Sequence, residues 1–266
     1  MSIYFHEKTW PELEQDIHKG AVAIVPLGMV EEHGPHMAVG ADTMIAEDLC
    51  RDIGMAFSQE KDVPPVLVLP TFWSGYNMKI VHKWPGSLCV RASVLLQALT
   101  DICGSLAKMG IYRIVLVNGH GNHDGIVRQL VRDVADEYGV WMAAFDPPAF
   151  CGKLYQEIRQ SPPGGACHAC EWETSILLHY GRPVDMTKTT SEDLMTYSSK
   201  FVPQDGFCGS KKVVWSTWCL QDSKHGIYGD PTRASKETGA KLVKEIVKTS
   251  VEFLKEYCAQ TKKPAT

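Results

Sequence analysis

Nothing in this 266-residue chain approaches the ~20 consecutive apolar residues of a membrane-spanning helix. The longest apolar runs, such as residues 63–68, are far shorter and carry prolines. A basic excess is also missing. With 27 Lys and Arg against 31 Asp and Glu the formal charge is −4, the wrong sign for a nucleic-acid binder, and no Lys/Arg run marks a membrane-surface patch. The opening MSIYFHEKTW is polar and has no apolar core segment of the kind a secretory leader carries, so no leader is expected. No Pro-, Gly- or Ser-rich linker, internal repeat or low-complexity tract interrupts the chain, which predicts one domain over residues 1–266. Nor do the cysteines form a framework. There are nine, an odd number at irregular spacing, which argues for a reducing, cytoplasmic setting rather than disulfides.

What the chain does have is an uneven distribution of its ten histidines. His33 lies near His36, His120 near His123, and His168 stands among acids. They fall on a pattern of alternating strands and helices. Residues 21–27 (AVAIVPL), 63–70, 111–117 (IYRIVLV) and 140–145 are short, strand-like apolar runs. Residues 41–57, 93–109 and 125–138 repeat apolar side chains at helical spacing, as in Ile45, Leu49, Ile53 and Phe57. This alternation predicts an α/β fold of three layers, α/β/α, with a largely parallel central sheet covered on both faces. Farther on, residues 169–179 read as helix, 187–222 as loops with short strands at most, and 232–261 as a long closing helix.

Three segments carry chemistry. The first strand runs into GMVEEHGPHMAVGADT, which gathers Glu31, Glu32, His33, His36 and Asp42 just past its carboxyl end, where open α/β sheets collect ligands. Glu31 and His33 are two apart, so in an extended segment both point the same way. Mixed carboxylates and imidazoles suit Zn²⁺, Mn²⁺ or Fe²⁺; a solvated polar loop is the plainer alternative. The second segment is Asn118-Gly119-His120-Gly121-Asn122-His123 after the strand at 111–117. If the two strands are neighbours, His120 comes beside the first loop. An anion site at the following helix would explain the glycines but not the histidines. The third segment is Cys167-His168-Ala169-Cys170-Glu171-Trp172-Glu173. A carboxylate at the start of a helix favours the dipole whatever else it does, and the single C-x-x-C has neither thioredoxin-like context nor finger spacing.

Together these segments resemble the creatininase family of metal-dependent amidohydrolases. The resemblance rests on PLGMVEEHGPH followed by Asp42, on NGHGN after a buried strand, and on HACEWETS. Two lesser pieces agree, His82-Lys83-Trp84-Pro85-Gly86-Ser87-Leu88 and Gly226-Ile227-Tyr228-Gly229-Asp230-Pro231, so the likeness runs from residue 26 to 231. It implies two divalent metal ions, Zn, Mn or Fe. Glu31, Asp42 and His120 would hold one, His33 and Asp42 the other, with Asp42 bridging. Creatininase completes its second site with a glutamate two residues after the motif histidine, where this chain has Asn122. The missing carboxylate is therefore expected from Glu171, with Glu173 as ligand or supporting partner. His168 matches the catalytic histidine, and His36, Asn122 and His123 are expected close around the ions.

The reaction so implied is hydrolysis of a C–N amide bond by a metal-bridging hydroxide, on a small-molecule substrate such as a cyclic amide, lactam or formamide. Creatinine itself is disfavoured, because the two aromatic clamp positions of creatininase are Gly121 and Gly164 here. Trp73, Tyr76, Trp84, Phe145, Trp215 and Trp218 are available to line another pocket, although ordinary packing explains each of them. A di-metal lactonase or phosphoesterase is the competing enzyme, and the three segments hold no Arg or Lys for a phosphate. A catalytically idle metal-binding relative is the third possibility. The family also implies a homo-oligomer, a hexamer in many members.

Overall fold

The computed structural model describes residues 2–197, 199–209, 212–215 and 220–264. Four parallel strands, β1 (Val22–Leu27), β2 (Val66–Val68), β3 (Arg113–Asn118) and β4 (Trp141–Phe145), form a sheet in the order β2-β1-β3-β4. Every residue of β1 is buried, because both faces are covered. Ala23, Val25, Leu27, Ile114 and Leu116 pack on one side against α1 (Trp10–His18), α3 (Ala92–Lys108) and α4 (Asp124–Tyr138). The alternate set, Val22, Ile24, Val115 and Val117, packs on the other side. There it meets α2 (Ala41–Ser58), α5 (Pro147–Ile158), α6 (Glu171–Tyr180) and α7 (Lys236–Gln260). This is the expected α/β/α layering, with side chains assigned to faces by the two-residue strand period.

The topology fixes where a ligand can sit. β1 and β3 pair in register from Val22 with Arg113 to Leu27 with Asn118. After β1 the chain turns to α2 on one face, and after β3 to α4 on the opposite face. Neighbouring strands whose connections diverge leave a crevice at their carboxyl ends. Both polar segments that follow these strands open into it. A second, antiparallel pair, β5 (Ala166–His168) and β6 (Tyr228–Gly229), sets His168 opposite Tyr228.

Several elements depart from expectation. The run at 63–70 contributes only Val66–Val68 to the sheet, since Pro64 and Pro65 have no N–H for a ladder. Helix α5 opens on Pro147-Pro148, which looks like a breaker in sequence yet suits the first helical turn, where N–H groups are unpaired anyway. Helix α1 is similarly short and prefaced by Thr9, whose backbone N–H donates to Glu12 Oε2 at 2.8 Å. The closing helix begins only at Lys236, because Ser235 Oγ caps it by accepting from the Thr238 N–H at 3.0 Å. Among the described residues no helix is long and apolar enough to cross a membrane.

Candidate metal centre

Asp42 sits in the first turn of α2, where the helix dipole favours a negative charge. Its two oxygens face different imidazoles: Oδ1 lies 3.2 Å from His33 Nε2, and Oδ2 lies 2.8 Å from His120 Nδ1. Glu31 Oε2 is 3.2 Å from the same His120 nitrogen. The donor atoms fall into groups of ligand-like spacing, all within 4.8 Å of one another: Glu31, Asp42 and His120; His33, Asp42 and Glu173; and Glu31, His33 and His168. Gly119 makes the approach possible, since a Cβ there would come 2.8 Å from the Asp42 carbonyl oxygen and 3.1 Å from that of Leu27.

These residues fit divalent ions. Glu31, His33, Asp42 and His120 are all buried, and Glu31 Oε2, Asp42 Oδ2 and His120 Nε2 have no hydrogen-bond partner. Burying carboxylates without compensation is costly, and the set of carboxylate and imidazole donors is the one that Zn²⁺, Mn²⁺ or Fe²⁺ accept. Without ions the imidazoles take the compensating role. Burial alone would depress the His33 pKa, but the Asp42 carboxylate outweighs it and raises the value to about 10. His120 is likewise raised, by Glu31 and Asp42 against its burial. Burial would lift the Glu31 and Asp42 pKa values, and the neighbouring histidines instead hold both carboxylates ionised.

The surrounding residues fix ring orientations. His33 Nδ1–H donates to the Glu31 carbonyl at 3.1 Å, which turns Nε2 toward Asp42. Asn118 Oδ1 accepts from the His120 N–H at 3.3 Å and from His123 Nδ1–H at 3.2 Å, and Asn118 Nδ2 donates to the His120 carbonyl at 2.9 Å. His123 Nε2 accepts from the Tyr76 N–H, and its ring lies 4.7 Å from that of His120. Burial keeps His123 neutral, with a pKa pushed down to about 3, and His36 likewise, at about 4. His36 Nε2–H donates to Thr174 Oγ1 at 3.2 Å, and Asn122 donates to Asn77 at 2.7 Å. Among the described residues neither His36 nor His123 joins a ligand-spaced group of histidines and carboxylates. His168 reaches the centre from β5: Nε2–H donates to the Glu32 carbonyl at 2.9 Å and Nδ1 lies 3.8 Å from Glu31 Oε2. Glu32 and Asn118 stood inside the recognised segments without an assigned role; the structure makes them the supports of His168 and His120.

The structure does not bring Glu171 to the centre. Residues two apart on a helix are about 200° apart around its axis, so Glu171 and Glu173 cannot both face the centre. Glu173 faces it, joining His33 and Asp42, and accepts from the Cys170 N–H at 3.0 Å. Glu171 faces away, fully buried, accepting from the Gln160 N–H at 2.9 Å, the Ser161 N–H at 2.8 Å and Tyr155 OH at 3.4 Å. Ala169 takes φ 52° between His168 and the helix. This turn redirects the chain from β5 into α6.

Two cavities flank the centre. One, of about 480 Å³, borders Asp146, Gln156 and Phe207; the other, of about 210 Å³, borders His168, Met195 and Tyr228. Trp73, Tyr76, Trp84, Phe145 and Trp215 line neither, and Trp218 lies outside the described residues. Cys167 borders both cavities; it and Cys170 are free thiols, and Cys219 also lies outside the described residues. The two glycines that replace the aromatic clamp differ. Gly164, at φ +89°, could take no side chain because a Cβ would overlap the Met195 carbonyl oxygen, whereas Gly121 has nothing within 4 Å of a Cβ.

Carboxylates and imidazoles crowded at the carboxyl edge of a parallel sheet, with a histidine on the rim, define a metal-dependent hydrolase. The chain belongs to the creatininase family, whose model, described as creatinine amidohydrolase, matches residues 6–254. It is 29% identical over 246 residues to a mycofactocin precursor peptide peptidase of Mycobacterium ulcerans, covering 90% of this chain and 82% of that one. It is also 29% identical to a creatinine amidohydrolase of Pseudomonas putida over 124 residues, 45% of each chain. A solved creatinine amidohydrolase superposes with TM-score 0.78 at 22% identity, over 98% of this chain and 99% of that chain. Other solved creatininases of this fold are described as a Zn–Zn type and as an Mn form.

Proposed function

We propose that the chain hydrolyses a C–N amide bond, with Glu31, Asp42 and His120 holding one divalent ion and His33, Asp42 and Glu173 a second. The observation that carries this reading is Asp42, which belongs to two donor groups at once and turns one oxygen toward His33 and the other toward His120. Bound there, such ions supply Lewis acidity and lower the pKa of a water toward neutrality. The protein supplies the rest. The Glu31 carbonyl fixes the His33 tautomer, so that the Nε2 lone pair faces the centre. His168, its Nε2–H tied to the Glu32 carbonyl, carries the exchangeable proton at Nδ1. Burial would discourage that proton, but the charge of Glu31 raises the His168 pKa, so the ring is able to protonate the departing nitrogen. In the balanced reaction the water oxygen bonds to the acyl carbon, the C–N bond breaks, and the nitrogen leaves with one more hydrogen.

A cyclic amide, lactam or formamide matches the smaller cavity in size. A larger, peptide-like amide is the second reading, favoured by the 480 Å³ cavity and by the name of the Mycobacterium ulcerans relative. The test is to strip the protein with chelator, restore Zn²⁺, Mn²⁺ or Fe²⁺ with the bound metal counted, and assay amides, esters and phosphoesters together. Metal-dependent release of amine and carboxylate from amides supports the proposal. Turnover of esters or phosphoesters alone would favour the lactonase or phosphoesterase, and metal binding without any turnover an idle relative.

A further inference from the structure

Tyr197 and Tyr228 both border the smaller cavity, and their hydroxyls differ. Tyr197 OH donates to the Pro203 carbonyl at 2.8 Å. Tyr228 is 8% exposed, and its hydroxyl is closed off with no hydrogen-bond partner among the described residues. A buried hydroxyl left unpaired costs free energy. Packing gives no reason for it, since the ring sits in an apolar cluster with Ile80, Val81 and Met195, where a phenylalanine would serve as well. Gln221, on the same cavity, is satisfied: its Nε2 donates to the Leu194 carbonyl at 2.8 Å and its Oε1 accepts from the Thr196 N–H at 2.7 Å. Tyr228 also stands beside the chemistry. It opposes His168 across the β5–β6 pair, and opposed residues of antiparallel strands carry their side chains on one face. The two ring centroids lie 6.3 Å apart, and both residues border the cavity that Glu31 and His120 also line. Burial pushes the phenol pKa up, so the hydroxyl keeps its proton at neutral pH and can donate it to a hydrogen bond.

We propose that Tyr228 is a further catalytic residue, whose hydroxyl donates a hydrogen bond to the acyl oxygen of the substrate as that oxygen becomes an oxyanion. This rests on the amide-hydrolase reading above and adds a group to it. An amide offers one good acceptor, its carbonyl oxygen, because the nitrogen lone pair is delocalised into the carbonyl. When the water oxygen bonds to the acyl carbon, the C=O π pair moves onto the acyl oxygen. A hydrogen bond to the resulting anion is about twice as strong as one to a neutral carbonyl. Tyr228 keeps its proton throughout. The electron pair returns as the C–N bond breaks, and the nitrogen gains its proton from His168. His168 thus serves the nitrogen and Tyr228 the oxygen, and the β5–β6 pair holds the two side by side. A donor with no partner inside the protein needs no reorganisation when charge develops on the substrate.

The test compares the wild type with Tyr228→Phe, both metal-loaded with the bound metal counted. The amides are 2-pyrrolidinone, N-methylformamide and N-acetyl-leucine amide, with kcat and KM measured separately and thermal unfolding followed on the same preparations. Tyr228→Phe should lower kcat about 100-fold and move KM by less than about threefold. It should keep its metal and unfold at no lower a temperature than the wild type, because it loses only an unpaired hydroxyl. Tyr197→Phe, which deletes the paired hydroxyl, should by contrast unfold at a lower temperature. A Tyr228→Phe protein with kcat within about threefold of the wild type would overturn the proposal and leave the amide-hydrolase reading standing, whether or not KM rises. Lost metal or a lowered unfolding temperature in Tyr228→Phe would also overturn it, by assigning the hydroxyl to the scaffold. A metal-replete wild type that cleaves no amide at all would end both readings.

Discussion

Glu31 and Asp42 are as deeply buried as Glu171, Asp48 and Asp205, and the company they keep is different in kind. Asp48 accepts from Arg51 at 2.6 Å and from Arg182 at 2.7 and 2.9 Å. Asp205 accepts from Arg159 at 2.9 Å and from the N–H groups of Gly164 and Phe207. Glu171 accepts from two backbone N–H groups and a tyrosine. Each of these three is satisfied by donors that stay put, and each ties one loop or helix to another. At the centre, Glu31 Oε2 and Asp42 Oδ2 have no partner other than imidazoles that are themselves metal ligands by type. A buried acid with fixed donors is part of the scaffold; one that faces only other ligand types is available to an ion.

That contrast is most sharply broken by Asp42→Ala. It should cost both ions and about a thousand-fold or more in activity, read by metal analysis and kcat/KM on the same preparation. An active, metal-replete variant would remove the bridging role. Next in size is the pair Glu173→Gln and Glu171→Gln. The first should lose the ion shared with His33 and about 100-fold in activity. The second should keep both ions and lose about 1–3 kcal/mol of stability, measured by denaturant unfolding. The reverse pattern would restore Glu171 as the ligand.

A titration sharpens the same distinction. In metal-free protein His33 is raised to about 10 and is charged at pH 7. An ion needs its neutral Nε2, so binding must expel that proton. Uptake of Zn²⁺ in weak buffer should acidify the solution, and apparent affinity should rise about tenfold per pH unit for each proton displaced. The gain should level off as pH passes the raised value. Glu31 and Asp42, already ionised, should contribute no such proton. The smallest effects concern the two clamp-position glycines. Gly164→Ala should destabilise by about 1–3 kcal/mol, since it joins a disfavoured φ to overlap with a backbone oxygen. Gly121→Ala should stay within about 0.5 kcal/mol, as an open position allows. Equal losses at both would mean that Gly121 is also sterically required.

How much was legible beforehand depends on the length of the signal. The runs at 21–27 and 111–117 carry β1 and β3 almost to the residue, because strands buried on both faces need uninterrupted apolar chains. Helices α2, α3 and α4 follow from repeats of three and four. Helix α5 was hidden by its two leading prolines, and β5 with β6 by strands of three and two residues, too short to show any period. At the centre, Glu31, His33, Asp42, His120 and His168 could all be named from local segments. Glu171 and Glu173 cannot be told apart in the sequence, because both acids sit in the first helical turn and local sequence does not say which side of α6 faces the segment after β1.

The sequence by itself therefore determined the layered α/β fold, the family, and the residue types that gather at the sheet edge. These depend on hydrophobic period and on short motifs, which are properties of neighbours along the chain. Only the tertiary structure decided that Asp42 faces both imidazoles, that Glu173 rather than Glu171 turns inward, and that Gly164 is closed while Gly121 is open. Each of those turns on the approach of segments that are not neighbours along the chain, such as Asp42 to His120 or Gly164 to Met195, and no local pattern encodes such a distance.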